Sequence, residues 1–434
     1  YPLRALINDQ VQSMKNTFEP LGISVEVLNG ETDLTSREDL FARMANNELD
    51  IVLTTPEFFS LHADQFAAAH NISFVVFDEA HHVGMNASEG RLAYAQMPQV
   101  LKMLGNPQVL ATTATATTQV AQHICELLSI DADHVYKDKT ARTNLELKDL
   151  RSAKDRECAL LSLVSDGTKT VVYVNSREQA QALTRMLRHR IPEIGHKVAF
   201  YHAGLTPQIR KNVERAFRRG DVCCIIATSA FGEGVNISDI RQVILYHLPF
   251  GRVAFNQMSG RAGRDGKPSK IYMLFDAHDM RVNERILSSH APQREALVAV
   301  YRALTALQPK LVAQPTNPAL TDEDIAQMAL EIDPRSKADE QIVRVALDVF
   351  VELGFISIEG FDQTRVISVN SQASHMDLLE SARYAEGLKA HTEFESFAQW
   401  VFSASLDELA DAITKPIVPE IGPTFDGGRE SSNE

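Results

Sequence analysis

A chain of 434 residues is too long for a single hydrophobic core, and roughly three domains are expected. Its 44% hydrophobic and 23% charged content is that of a globular protein, which excludes wholesale disorder. A net charge of −14, from 43 basic and 57 acidic residues, excludes a whole-chain polyelectrolyte clamp on nucleic acid but leaves room for a local basic groove.

From residue 1 to about 139, short apolar runs alternate with amphipathic stretches. Strands are predicted at Ser24–Leu28, Ile51–Thr54, Phe74–Phe77 and Gln108–Thr112, with helices over Ser36–Asn46 and Gln119–Leu128. Fully apolar strands separated by helices predict a parallel sheet covered on both faces. Lys137–Leu150 is polar and reads as an irregular linker. The pattern then repeats, with strands predicted at Thr170–Val174, Lys197–Tyr201, Val222–Ala227, Gln242–Leu245 and Ser269–Phe275, and helices over Arg177–Arg190 and Thr206–Arg218. Two α/β lobes in tandem, 1–139 and 140–280, are therefore expected.

After about residue 280 the pattern turns helical. A connector (281–318) holds a helix over Gln293–Leu307 and a proline-bearing linker, Gln308–Pro318. Within 319–371, helices at Thr321–Leu330 and Ala338–Leu353 precede strands Phe355–Ile358 and Thr364–Val369 around a turn at Gly360, the order of a winged helix. A helical tail (372–434) is read as three helices, around Ser374–His391, Phe394–Phe402 and Ser405–Ile413, with Gly422–Glu434 frayed. No apolar run approaches the ~20 residues of a membrane span, and nothing at the start resembles a signal peptide. The opening Tyr1-Pro2-Leu3-Arg4 lacks an initiator Met and reads as the interior of a domain. Cys125, Cys158, Cys223 and Cys224 fit no zinc or disulfide spacing and read as core thiols of a cytoplasmic protein.

The chemistry is concentrated in two signatures about 180 residues apart. In Phe74-Val75-Val76-Phe77-Asp78-Glu79-Ala80-His81 a strand ends in two carboxylates, and ligand sites of open α/β sheets lie at the carboxyl ends of strands. Asp78 is suited to holding Mg2+ through water, and Glu79 to polarising an attacking water; a chance acidic turn is the bland alternative. The hydroxyls of Thr112–Thr115 can relay hydrogen bonds toward a facing lobe, and His81 can bridge to it, unless the threonines simply cap a helix. The second signature, Gln257–Gly266, carries three glycines and two arginines. Arginine's fixed charged fork suits phosphate oxygens, and Arg261 and Arg264 are predicted on one face of a short helix. A basic surface turn is the competing reading. Ala227–Asn236, with Gly232, Gly234 and Asn236, is a glycine-rich loop after a strand. No G-x-x-x-x-G-K-[ST] phosphate cradle occurs among these residues.

In this order the segments resemble the motif series of superfamily-2 helicases, in particular the RecQ-like branch. Pro2–Gln10 looks like that family's first DNA-contacting motif, Thr55-Pro56-Glu57 is similar to the next, and Asp78–His81 matches its Walker B motif. Val171–Arg177, Tyr201–Leu205, Ala227–Asn236 and Gln257–Gly266 match its second-lobe motifs. The resemblance covers about residues 1–280. It implies two RecA-like parallel-sheet lobes, use of ATP and Mg2+, and 3′ to 5′ movement on single-stranded and partly duplex DNA. By the same resemblance Asp78 binds the metal. Asp78, Glu79, Gln257, Arg261 and Arg264 carry catalysis, while His81, Gly232, Gly234 and Asn236 serve the nucleotide. Arg4, Gln10, Thr55, Ser176, His202 and Thr228 lie in strand-contacting motifs.

The chain departs from the family in three ways. The phosphate cradle is absent from these residues, so the isolated 434-residue chain is expected to hydrolyse little ATP. The family's aromatic-rich loop corresponds to Val83–Met97, where Tyr94 is the single aromatic. No cysteine follows residue 224, which rules out the family's zinc subdomain here. Instead, Tyr301–Leu304, Glu352–Ile356, Arg383–Leu388 and Trp400–Leu406 look like the C-terminal region of RecJ-type single-strand exonucleases. That likeness implies a nuclease domain in the same polypeptide and a single-strand DNA-binding protein as a partner. No nuclease chemistry falls on these residues.

Overall fold

The computed structural model describes the chain apart from residues 2–3, 85–91, 233–236, 291, 313–319, 360–364, 371–376, 423 and 426–434. It divides into two compact units: Tyr1–Asp276 with Ser403–Glu434, and Ala277–Phe402.

The first unit begins with helix α1 (Arg4–Phe18), strand β1 (Val25–Val27), helix α2 (Leu34–Ala45), strand β2 (Ile51–Leu53) and helix α3 (Pro56–Leu61). Strands β3 (Phe74–Phe77) and β4 (Gln108–Ala111) and helix α4 (Thr118–Leu128) complete the first lobe. Side-chain oxygens start the helices as the sequence requires: Asp33 accepts from the Ser36 N–H and Thr117 from the Val120 N–H. A continuous covered sheet was expected, but the strands form separate parallel pairs, β1–β2 and β3–β4. Phe77 is buried with Phe58, Phe59 and Met97, whereas Phe74, Val76 and Leu110 stay about half exposed. An apolar strand run does not by itself say which of its faces is covered.

The second lobe is closed more completely. After a short strand β5 (Lys137–Asp138), strands β6 (Leu145–Asp149), β7 (Thr170–Tyr173), β8 (Val198–Tyr201), β9 (Cys224–Ala227), β10 (Gln242–Leu245) and β11 (Ser269–Met273) build an all-parallel six-stranded sheet in the order β6-β11-β10-β7-β9-β8. Every residue of β7 and β9 is buried, so their unbroken apolar runs do mark strands covered on both faces. Helices α5 (Arg177–Arg190), α6 (Pro207–Arg219) and α7 (Arg252–Ser259) connect them. The region read as irregular linker supplies β6 instead. Leu145 and Leu147 are buried while Glu146 and Asp149 are exposed, the alternation of a half-covered edge strand.

The second unit contains α8 (His278–His290), α9 (Arg294–Val312), α10 (Asp322–Ile332) and α11 (Glu340–Glu352). Strands β12 (Ile356–Glu359) and β13 (Val366–Val369) then pair antiparallel. Leu297, Val300, Ile325, Val343, Leu347 and Ile367 share its core. Helix α9 runs through Pro309, which shortens the expected linker; the rest of that linker and the Gly360 turn lie outside the described residues. Helix α12 (Ala382–Ser403) is continuous where two helices were expected. Thr392 lies inside it and returns its hydroxyl to the Leu388 carbonyl at 3.0 Å. Among the described residues no helix is long and apolar enough to cross a membrane.

The chain then returns to the first unit with α13 (Leu406–Thr414) and β14 (Thr424–Phe425), which pairs with β5. Part of the segment expected to fray is therefore ordered, and 426–434 lies outside the described residues. Of the cysteines, Cys223 and Cys224 are buried, but Cys125 is half-buried and Cys158 exposed, so not all are core thiols.

Candidate active site

The acidic wall is set by the end of β3. Its last residue, Phe77, accepts from the Thr112 N–H at 2.8 Å, and Thr112 in turn accepts from the Ala80 N–H at 2.8 Å. This lacing pins the turn that follows β3 against the end of β4. Glu79 sits within it at φ 51°, a left-handed conformation that costs a non-glycine residue about 1–2 kcal/mol. The Asp78 carboxylate accepts from the Glu79 N–H at 3.0 Å and from the Thr112 hydroxyl at 3.1 Å. His81 Nδ1 lies 3.3 Å from Glu79 Oε2 and 2.9 Å from Thr113 Oγ1. That imidazole contact, reinforced by the positive charge of Arg261, holds the Glu79 carboxyl below the usual range and so ionised at neutral pH.

The basic wall follows α7, whose Phe255, Met258 and Ser259 are buried beneath the helix. Residues Gly260–Asp265 are a run of turns, not the short helix expected for Arg261 and Arg264. Gly263, at φ +55°, breaks the helical path, and a Cβ there would meet Asn144 Nδ2 at 2.5 Å and Ser269 Oγ at 2.6 Å. Arg142 grips these turns from the segment before β6, donating to the Gly260, Ala262 and Gly263 carbonyls at 2.9, 2.7 and 2.6 Å. Asn144 adds donations to the Gly263 and Lys267 carbonyls, each at 2.8 Å. Partial desolvation of its guanidinium in the cavity, and then the neighbouring charge of Arg261, bring Arg264 down to about 10, although the residue as a whole is solvent-exposed. Gly232 lies alongside, where an added Cβ would come within 3.6 Å of the Arg261 guanidinium.

The two walls meet through Gln257, whose side-chain amide donates to Thr115 Oγ1 at 3.1 Å. The Thr113 hydroxyl donates to the Thr115 carbonyl at 3.1 Å, so a path runs from Glu79 through His81, Thr113 and Thr115 to Gln257. The bridge anticipated for His81 is thus made indirectly, through the threonines. A cavity of about 1030 Å³ opens here, lined among others by Glu79, Thr112, Gln257, Arg261 and Arg264. Asp78 lies behind this lining, bonded to Thr112.

The expected strand-contacting residues lie near the carboxyl ends of strands. Thr55, after β2, is buried with its hydroxyl capping α3. Ser176 caps α5 after β7, and the Thr228 N–H after β9 donates to the Tyr201 carbonyl at 3.1 Å. His202, after β8, is buried with Nε2 3.3 Å from Gln181 Nε2, and burial lowers its pKa. Gln10 is half-buried on α1. The Arg4 side chain, Gly234 and Asn236 lie outside the described residues. Tyr94 is turned into the core and stacks on His82. Sequence reasoning missed Arg142 and Asn144, whose position in a polar stretch gave no sign that they hold an arginine-bearing turn.

Residues 1–124 match the DEAD/DEAH box helicase family, and residues 153–266 match the helicase conserved C-terminal domain. The chain is 29% identical over 299 residues to the ATP-dependent DNA helicase RecQ of Pasteurella multocida, covering 68% of this chain and 46% of that relative. It is 31% identical over 310 residues to the probable ATP-dependent DNA helicase RecS of Bacillus subtilis, covering 70% of this chain and 60% of that protein. The chain is homologous to RecQ-like DNA helicases. It spans about half the length of the RecQ relative. The DNA-bound crystal structure of the DUF1998 helicase MrfA shares the fold, with a TM-score of 0.51 at 19% identity over 86% of this chain and 53% of that one. The cavity is thus lined by Glu79 from the region matching the DEAD/DEAH box helicase family and by Arg261 and Arg264 from the region matching the helicase conserved C-terminal domain.

Proposed function

We propose that this chain is the motor of an ATP-driven DNA helicase, which uses ATP turnover in the Glu79–Arg264 cavity to move 3′ to 5′ on single-stranded DNA and open duplexes. The observation that carries the reading is the hydrogen-bonded path from Glu79 to Gln257, which ties a carboxylate of one helicase domain to the arginine-bearing turn of the other.

The residues fit a magnesium-bound triphosphate. Asp78 and Glu79 offer hard carboxylate oxygens, and the neighbouring positive charges of Arg261 and Arg264, which line the same cavity, are relieved by an anion beside them. Asp78 would hold Mg2+, which when bound offsets charge on the phosphates. Glu79, kept ionised by His81, accepts a proton from the attacking water. Gln257, Arg261 and Arg264 hold the terminal phosphate from the opposite wall, with Gly232 alongside Arg261.

Arg4, Gln10 and Thr55 on one lobe, and Ser176, His202 and Thr228 on the other, would line the DNA path. Contacts there are chiefly to phosphates, so affinity falls with salt. In the second unit, the helices and the β12–β13 pair would act as a winged-helix DNA contact. The RecJ-like wording of the C-terminal region supports a fusion with a single-strand nuclease and cooperation with a single-strand DNA-binding protein.

The test is strand separation by the native polypeptide containing this chain, on matched DNA and RNA duplexes with 3′ overhangs. The expected result is DNA unwinding that is lost in Asp78→Ala. Unwinding of RNA alone would make it an RNA helicase, and nucleic-acid binding without ATP turnover would make it a docking module.

A further inference from the structure

Residues 405–420 bond to both walls of the cleft. On the second lobe, Leu409 and Ile413 of α13 are buried, and Asn256 Nδ2 caps the helix end by donating to the Ala412 and Lys415 carbonyls at 2.7 and 3.0 Å. The Arg142 N–H donates to the Thr414 carbonyl at 2.9 Å. Beyond Lys415 the chain crosses to the first lobe. Ile417 bridges Thr115 in parallel and accepts from the Ala116 N–H at 3.1 Å, while the Glu420 N–H donates to Thr118 Oγ1 at 3.0 Å. Both anchors adjoin the relay, since Asn256 precedes Gln257 and Ala116 follows Thr115. Ile413 through Pro419 also line the cavity itself. Pro416 and Pro419 fix φ within the crossing, which makes it a stiff spacer and not a slack tether.

We propose that residues 405–420 are a strap that holds the cleft at one aperture, and that α13 stays seated on the second lobe while 415–420 leaves the first lobe whenever the aperture changes. The asymmetry of the anchors sets which end releases. The second-lobe end has two buried apolar side chains, Leu409 and Ile413, and a capped helix, whereas the crossing end has one buried residue, Pro419, beside main-chain hydrogen bonds and a hydroxyl. The inference rests on the reading of this cleft as that of a two-lobed motor. In that setting the strap restrains turnover, because each change of aperture that the cycle requires is made only with 415–420 off the first lobe.

The experiment uses the native polypeptide with Cys158→Ser. Spin labels at exposed Leu61→Cys and Arg219→Cys report lobe separation without reference to ATP. The expected result is one narrow distance in the parent that broadens in Pro416→Gly/Pro419→Gly; an unchanged distribution overturns the strap. In an unlabelled Thr118→Cys/Glu420→Cys variant, oxidation should cut DNA-stimulated ATP hydrolysis about tenfold or more, and reduction should restore it. Equal rates in the two redox states overturn the proposal. If the parent itself hydrolyses no ATP, the motor reading fails, and the label distances still decide whether the strap sets the aperture.

Discussion

Gln257 donates its side-chain amide to the Thr115 hydroxyl at 3.1 Å across 142 residues of sequence. Thr115 lies at the end of the relay from Glu79, and Gln257 one turn before Arg261. The contact therefore links the wall that bears Glu79 to the wall that bears Arg261 and Arg264. Gln257→Ala or Thr115→Val should lower DNA-stimulated ATP turnover by about tenfold, the scale of one lost hydrogen bond, and leave single-strand binding intact. Adding Thr115→Val to Gln257→Ala should cost little more than Gln257→Ala alone, because the bond they share is already gone. Fully additive losses in steady-state kinetics would show that the two residues act separately.

Arg264 is solvent-exposed at the cavity and lies close to the positive charge of Arg261, which an anion placed between the two would offset. Arg264→Ala should lower kcat by roughly 10³-fold with a smaller change in KM, as removal of a transition-state contact does. Arg264→Lys should rescue little, since one ammonium cannot reproduce the fork. A pure KM effect would place Arg264 in ground-state binding.

Gly263 and Gly266 both have positive φ, yet they differ in surroundings. A Cβ at Gly263 meets Asn144 and Ser269, whereas a Cβ at Gly266 meets nothing within 4 Å. Gly266→Ala should cost about 1 kcal/mol of backbone strain, and Gly263→Ala clearly more, with loss of turnover as Arg142 and Asn144 lose their grip on the turn. Thermal unfolding of the two variants checks the order.

His247 accepts from the Asn175 N–H through Nδ1 at 3.1 Å, and burial followed by the Arg156 charge pushes it down to about 4. A folded-state pKa below the ordinary 6.5 means that the unfolded chain binds the proton more readily. The stability from the neutral ring is thus complete above pH 6.5 and is lost as pH falls toward 4, by up to about 3 kcal/mol. His247→Asn should flatten the fall in urea-unfolding free energy across that window. An unchanged slope would mean that His247 is not the titrating group.

Much of this was legible in the sequence where one feature dominated. Unbroken apolar runs such as Thr170–Tyr173 located strands buried on both faces, and the two signatures contribute Glu79, Arg261 and Arg264 to the lining of one cavity. What was hidden depended on partners distant in sequence. Phe74, Val76 and Leu110 are as apolar as the β7 residues, but nothing within their own strands tells that one face is open. Arg142 is one arginine in a polar stretch until the fold brings it to Gly260. The strap resembles a loose tail because bonds such as those from the Ala116 and Arg142 N–H groups end on its own backbone carbonyls, which leave no trace in residue type.

The central claim, that one cleft joins a catalytic carboxylate to arginines of the facing lobe, is tested most directly by single-turnover ATP hydrolysis on single-stranded DNA with Glu79→Gln in the native polypeptide. The account predicts that ATP and DNA still bind while hydrolysis slows by at least about 10²-fold, the contribution of a positioned general base. Hydrolysis within twofold of the parent would contradict it.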